Sequence, residues 1–183
     1  MLVSRLPQTP TPLLIRISIF GLIAVLTSCA TIPQIDSLRV NPLTSAETQQ
    51  VDALLDRLYR SFAYGADKEP DWDLMRSAFV ENAQFVTEPA EGKAPDSQLL
   101  EAFITSWQET IRGSSAPRPS HDEWITGTTA TKLGELIRVD VAFQAKKGND
   151  TTPRKPGLDS LVLVKVDGQW KVLSFIVHYE SKL

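Results

Sequence analysis

Apolar positions along this chain change their period twice. They are continuous over residues 17–26 (ISIFGLIAVL), recur at three- and four-residue steps between 45 and 112, and alternate from 121 onward. Thr44-Ser45-Ala46-Glu47 has the form of a capping box, in which hydroxyl and carboxylate satisfy each other's orphan amides. Val51, Leu54, Leu55, Leu58, Tyr59 and Phe62 then make one stripe of a long helix that Gly65 is expected to stop. Pro70-Asp71-Trp72 opens a short second helix with Leu74, Met75, Ala78 and Phe79 on its apolar side. The run AQFVTEP predicts a short strand ended by Pro89, followed by a loop over 88–92. Asp96 or Ser97 caps a third helix reaching about Arg112, with Leu99, Leu100, Phe103, Ile104 and Trp107 inward. Residues 113–120 (GSSAPRPS) read as a connector.

Strands alone follow. Residues 121–132 and 134–146 turn at Leu133-Gly134, and the second run sets Ile137, Val139, Val141 and Phe143 against Arg138, Asp140 and Gln144. After a polar loop at 147–157, LDSLVLVKV and QWKVLSFIVHYE flank Asp167-Gly168, a hairpin signature. The expected class is α+β, three N-terminal helices packed on a mostly antiparallel sheet.

The first apolar run serves another purpose. Arg5 and Arg16 precede or interrupt it and no acid occurs before Asp36, the pattern of a secretory signal. Ten helical residues rise about 15 Å, against about 30 Å of bilayer core, so a permanent span is not expected. The run ends in Leu26-Thr27-Ser28-Cys29, which holds the only cysteine and resembles the lipobox of bacterial lipoproteins. That resemblance implies a signal peptide at 1–28, diacylglycerol on the Cys29 sulfur, and acylation of the new amino terminus, including palmitate. Two or three acyl chains hold a protein on a membrane where one is reversible. Ala30 after the cysteine, instead of an acid, implies by the same resemblance the periplasmic face of the outer membrane. Residues 29–43, with prolines at 33 and 42, read as lipidated cysteine and tether, and 44–183 as one domain.

Composition narrows the function classes. The net charge of −3 comes without a basic run, which excludes a nucleic-acid footprint. Two histidines far apart and no second cysteine leave neither a metal site nor a disulfide to expect. No Gly-rich phosphate loop or cofactor motif is visible.

Three segments carry a further resemblance over residues 45–181. Asp71-Trp72 leading into Phe79-Val80-Glu81-Asn82-Ala83-Gln84-Phe85, Gly134 to Val139, and Arg154, Gly157 and Ser160 before Asp167-Gly168-Gln169-Trp170-Lys171-Val172 are similar to signatures of the nuclear transport factor 2-like (SnoaL-like, cystatin-like) superfamily. Lys155-Pro156 is inserted between the arginine and the glycine. The resemblance implies a curved sheet wrapped around the long first helix, leaving a cone-shaped pocket. Superfamily members include isomerases, dehydratases, polyketide cyclases, epoxide hydrolases and non-catalytic binding or accessory domains, and fold alone does not choose among them.

Catalysis in such a cone needs ionisable groups in an apolar setting. Tyr59 on the helix stripe is either a core tyrosine or a hydroxyl aimed into the cone. His121 and Glu123 share a strand face, as a base and its orienting partner or as solvated strand-end residues. The inward face of 137–143 is apolar and no acid pair emerges, so the pattern leans away from an enzyme. Candidate pocket walls are Tyr59, Phe62, Trp72, Phe85, Trp107, Trp124, Val139 and Phe143. The last two strands read as apolar on both faces, Leu161 and Leu163 against Val162 and Val164, Leu173 and Phe175 against Val172 and Ile176. A sheet apolar on both sides needs two covers, so a homodimer through the sheet is expected. The partners expected are a membrane through Cys29, a small apolar ligand and a second copy. The class expected is an envelope protein whose cone binds a ligand or partner without catalysis. Its rivals are an isomerase, dehydratase or hydrolase working in the cone and a structural adaptor working through the sheet.

Overall fold

The computed structural model describes residues 40–87, 94–113, 120–148 and 156–179. The signal segment, Cys29, the tether up to residue 39, the loop at 88–92 and Arg154 therefore lie outside the described residues, as does most of the connector and of the 147–157 loop.

Strand β1 (Val40–Asn41) lies within the expected tether and pairs with the far end of β4. Helix α1 (Ser45–Phe62) begins as the capping box requires: the Glu47 amide donates to Thr44 Oγ1, and the Thr44 amide donates back to Glu47 Oε2 at 2.9 Å. Its stripe of Val51, Leu54, Leu55, Leu58, Tyr59 and Phe62 is buried. The helix stops at Ala63, two residues ahead of the glycine expected to stop it, because Tyr64 is drawn into an antiparallel bridge with His121. Gly65 instead bridges to Lys68. Helix α2 (Trp72–Ala78) is capped by Asp71, whose carboxylate accepts from the Leu74 amide.

Strand β2 (Phe79–Thr87) starts four residues earlier than the sequence suggests. Strand β3 (Asp96–Leu99) corrects the expected helix start: residues 96–99 pair antiparallel with β2, and helix α3 (Leu100–Gly113) begins only afterwards. Residues 96–99 take up the open edge of β2, and that long-range pairing overrides the local capping signal. Four long strands complete the sheet: β4 (His121–Leu133), β5 (Leu136–Lys147), β6 (Pro156–Val166) and β7 (Gln169–Tyr179).

The described residues thus fold as α+β, three helices on one seven-stranded sheet of order β1-β4-β5-β6-β7-β2-β3, antiparallel except for β2 beside β7. Asp167 and Gly168 both have positive φ, as a type I′ turn needs, and close β6 onto β7. Register shifts interrupt three ladders, between Phe79 and Gln84 in β2, at Thr126 in β4 and at Leu173 in β7, and bulges bend the strands that carry them. The shift at Leu173 corrects the expected phase of β7. Leu173 is the extra residue, so Val172 and Phe175 both face the core while Leu173 is exposed. The core joins the α1 stripe to the inward positions of β5 (Ile137, Val139, Val141, Phe143), β6 (Leu161, Leu163) and β7. Among the described residues no helix is long and apolar enough to cross a membrane.

Candidate functional site

Three elements, the end of α1, the start of β4 and α3, meet around Tyr64 and His121. The bridge between Tyr64 and His121 is made in both directions, at 3.0 and 2.9 Å, and their rings stack with centroids 5.4 Å apart. The end of α1 thereby fixes the start of β4. Two residues on, Glu123 reappears on the inward face by strand periodicity, and its Oε1 lies 2.8 Å from His121 Nε2. The Trp107 ring of α3 stands edge-on to both Tyr64 and His121.

Below this rim a cavity of about 910 Å³ runs between α1, α3 and the sheet. Its walls are mainly aromatic: Phe62, Phe85, Phe103, Trp107, Phe143 and Phe175. Phe85 and Phe103 stack flat, 6° from parallel with centroids 3.9 Å apart, which joins β2 to α3. The polar lining comes from Thr87, Gln98, Ser106, Thr110, His121, Glu123, Lys147 and Asp159.

Asp159 carries the site's chemistry and was missed in the sequence. It lies on β6 at the same strand parity as Leu161 and Leu163, so the alternation that buries the leucines buries the acid too, at 1% exposure. The Tyr59 hydroxyl donates to its Oδ2 at 2.5 Å. Among the described residues Oδ1 has no hydrogen-bond partner. Burial pushes the Asp159 carboxyl up from 3.8 to about 8, and the charge of Glu123 pushes the same way; the Tyr59 hydrogen bond opposes both and loses. At neutral pH this group is mostly a neutral acid. Parity was the signal that could have found it: Gly157, Asp159, Leu161 and Leu163 share one face.

The other candidates fall as follows. Phe62, Phe85, Trp107, Phe143, His121 and Glu123 line one cavity. Tyr59 lies behind Asp159 and not in that wall; with Trp124 it borders a separate groove of about 400 Å³ between α1 and β4. Trp72 packs edge-on against Trp107 outside the cavity, its indole donating to Glu69 Oε2. Val139 is wholly buried beneath the wall. Asp140 faces away, accepting from Arg138 and from Ser160 Oγ at 2.7 Å. Among the described residues no cluster of His, Cys, Asp and Glu could hold a metal.

No family model matches the chain, and no curated protein matches it. Solved structures do. A protein of unknown function with a cystatin-like fold from Nostoc punctiforme superposes with a TM-score of 0.60 at 9% identity, over 78% of this chain and 98% of that one. The beta subunit of the benzoate 1,2-dioxygenase from Burkholderia mallei gives 0.58 at 15% identity, over 76% and 93%. ActVI-ORFA from Streptomyces coelicolor gives 0.57 at 16%, over 74% and 98%. At these identities the likeness concerns the fold, and the domain has the nuclear transport factor 2-like, cystatin-like cone fold. Solved proteins of this shape include an enzyme subunit and a Catenulispora acidiphila protein in complex with S-DNPA, the latter at a TM-score of 0.57.

Proposed function

We propose that this chain is a lipid-anchored envelope protein whose cone takes up a small, largely apolar molecule. The observation that carries the reading is the cavity itself: about 910 Å³, walled by aromatic rings from α1, α3 and the sheet, with polar groups placed among them. Binding sites for small molecules have this character, a concave apolar volume with a handful of placed polar atoms. A neighbour of the same fold in complex with S-DNPA supports it. Attachment through Cys29, on the periplasmic face of the outer membrane, rests on the Leu26-Thr27-Ser28-Cys29 lipobox and Ala30. A second copy against the outer sheet face completes the assembly.

One observation favours a second reading, an isomerase, dehydratase or hydrolase. Asp159 as a neutral acid and His121, oriented by Glu123, line the same cavity, and a carboxyl and an imidazole in one apolar site are groups of the kind that acid–base catalysis uses.

Native mass spectrometry of the full chain from its producing cell tests both. A co-purified apolar adduct is expected, and an intact mass carrying acyl chains that Cys29→Ser removes. Solvent deuterium entering the adduct, and lost with His121→Ala, would select the enzyme. A cone that never retains a ligand, from the native host or from a panel of apolar compounds, would overturn the binding reading. A Cys29→Ser chain that stays acylated would overturn the anchor.

A further inference from the structure

Strand β4 is paired along one side only. Toward β5 its ladder runs from His121 to Leu133, but on the other side β1 takes only Lys132 and Leu133, and Tyr64 takes only His121. His121 sends both its N–H and its C=O outward, to Tyr64. By the alternation of an antiparallel ladder Glu123 and Ile125 turn theirs the same way, and among the described residues no backbone group meets them. An open edge is a template for another strand, which proteins blunt with charge, proline or a bulge. From Ile125 to Thr131 this edge carries no charged residue and no proline, residues 126–130 are exposed, and its interruption is the bulge at Thr126.

The groove of about 400 Å³ between α1 and β4 follows this edge. Glu123, Trp124 and Ile125 all line it. Successive strand residues point to opposite faces, so a groove that touches all three passes along the strand's edge. Leu55 and Ile125 give it an apolar floor, and Asp52 and Asp56 stand exposed on its α1 side. Trp124, 36% exposed, adds a ring over which a cation can lie. The groove's acids, Asp52, Asp56 and Glu123, outnumber its one base, Arg60, which Asp56 already holds at 2.9 Å. From this edge and this groove we infer that β4 docks an extended, basic segment of another protein, added to the sheet as a further strand with side chains in the α1–β4 groove. Main-chain pairing supplies affinity in such docking and the groove beside it supplies selectivity. The site stands apart from the cone and does not depend on what the cone binds. A second copy of this edge fits less well: residues 127–130 are glycine, threonine and alanine, small for the groove, and the copy brings the same acids.

The test measures the affinity of the purified full chain for two short, end-blocked peptides, one alternating lysine with valine and one alternating glutamate with valine. At low salt the lysine peptide is expected to bind about tenfold more tightly, and the difference should shrink as salt rises. Asp52→Asn with Asp56→Asn changes two exposed positions and should weaken the lysine peptide about fivefold. Backbone pairing has its own readout in the wild type, hydrogen exchange followed by NMR. The Glu123 amide should exchange quickly in the free chain and slowly with the lysine peptide bound, while the Trp124 amide, turned toward β5 by the same alternation, stays protected throughout. Equal binding of the two peptides, or binding of neither, would overturn the inference. A bound lysine peptide that leaves the Glu123 amide fast would place it elsewhere and overturn the inference as well. So would a Glu123 amide that is slow in the free chain and quickens on dilution, which would give the edge to a second copy.

Discussion

Tyr59 and Asp159 lie 100 residues apart in the chain, and their side chains meet at 2.5 Å inside the fold. The contact ties the central helix to the sheet through a polar bond in an otherwise apolar core, and it stabilises the charged form of a carboxyl that burial keeps neutral. Such a group weakens the fold as pH rises. Its folded value, about 8, stands above its free value of 3.8. The chain is therefore most favoured, as far as this group goes, below about pH 4. Stability falls by about 1.4 kcal/mol per pH unit between about 4 and 8 and is flat above. Asp159→Asn removes the titration and is expected to flatten that limb, leaving the variant more stable than wild type at pH 8. Urea unfolding across pH 4–9 measures it; parallel curves for the two proteins would show that the acid is not buried as described.

Tyr59→Phe tests the opposing half of the pair. Removing the hydroxyl takes away the one interaction that lowers the Asp159 value, so the carboxyl should titrate higher still. The Asp159 carboxyl resonance, followed by NMR, should shift its midpoint upward from about 8. Stability should drop by about 1–3 kcal/mol because Oδ2 loses its donor. A midpoint that moves downward would mean that Tyr59 does not donate to this acid.

Gly157 controls the shape of the cavity from the neighbouring position on β6. A methyl group there would collide with Cζ and Cε1 of Phe143, opposite it on β5. The Phe143 ring lines the cavity and has to swing if the methyl is to fit. Overpacking of this kind costs about 1–3 kcal/mol. Gly157→Ala is expected to lower thermal stability and to weaken apolar ligands together, while Phe143→Leu in the same chain recovers both by shortening the side chain that collides. Thermal melts and probe affinities on the single and double variants decide it.

Local signals made the fold largely legible. The capping box of α1, the stripe from Val51 to Phe62, the alternation from Ile137 to Phe143 and the Asp167-Gly168 turn are each written within a few residues, and each forms. What escaped depends on partners distant in sequence. Residues 96–99 carry a helix cap by their own chemistry and become a strand because β2 offers an edge. The β7 phase slips at Leu173 because the β6 ladder imposes a bulge that no periodicity reports. Asp159 was the costliest omission. An aspartate in an alternating strand reads as solvent-facing, and only the parity shared with Leu161 and Leu163 argues otherwise. Its partner sits on a helix at the opposite end of the domain sequence, so the pair is visible only in three dimensions. The His121–Glu123 pair, two residues apart on one strand face, was legible because it is local.

The start of α1 carries a second pH signature, of opposite sign. Glu47 Oε1 lies 2.5 Å from Lys132 Nζ on β4, while Oε2 serves the capping box. Hydrogen bonding from Lys132, then from Thr44, holds the Glu47 carboxyl down at about 2 from 4.5. A depressed acid contributes stability that is present above its free value and is lost as pH falls through the folded one. Glu47→Gln should therefore melt lower than wild type at pH 6, with the difference closing between pH 4.5 and pH 2. A gap that persists at pH 2 would assign the effect to packing instead of charge.

The outer face of the sheet sets the last expectation. Leu158 on β6 and the bulged Leu173 on β7 are 44% and 39% exposed, with Val162, Val164 and Ile176 half-buried beside them. Helices cover the other face, and nothing among the described residues covers this one. Exposed apolar side chains on a sheet face mark an interaction surface, and a second copy of the same sheet is the cover we propose for it. The bulge helps, because it places Leu173 outside the core where regular alternation would have pointed it inward with Phe175. Sedimentation of the full chain should give a dimer, and Leu158→Glu with Leu173→Glu should give a folded monomer that still binds apolar probes, since neither residue lines the cavity. A wild-type chain that sediments as a monomer at every concentration would instead leave this face to a different partner.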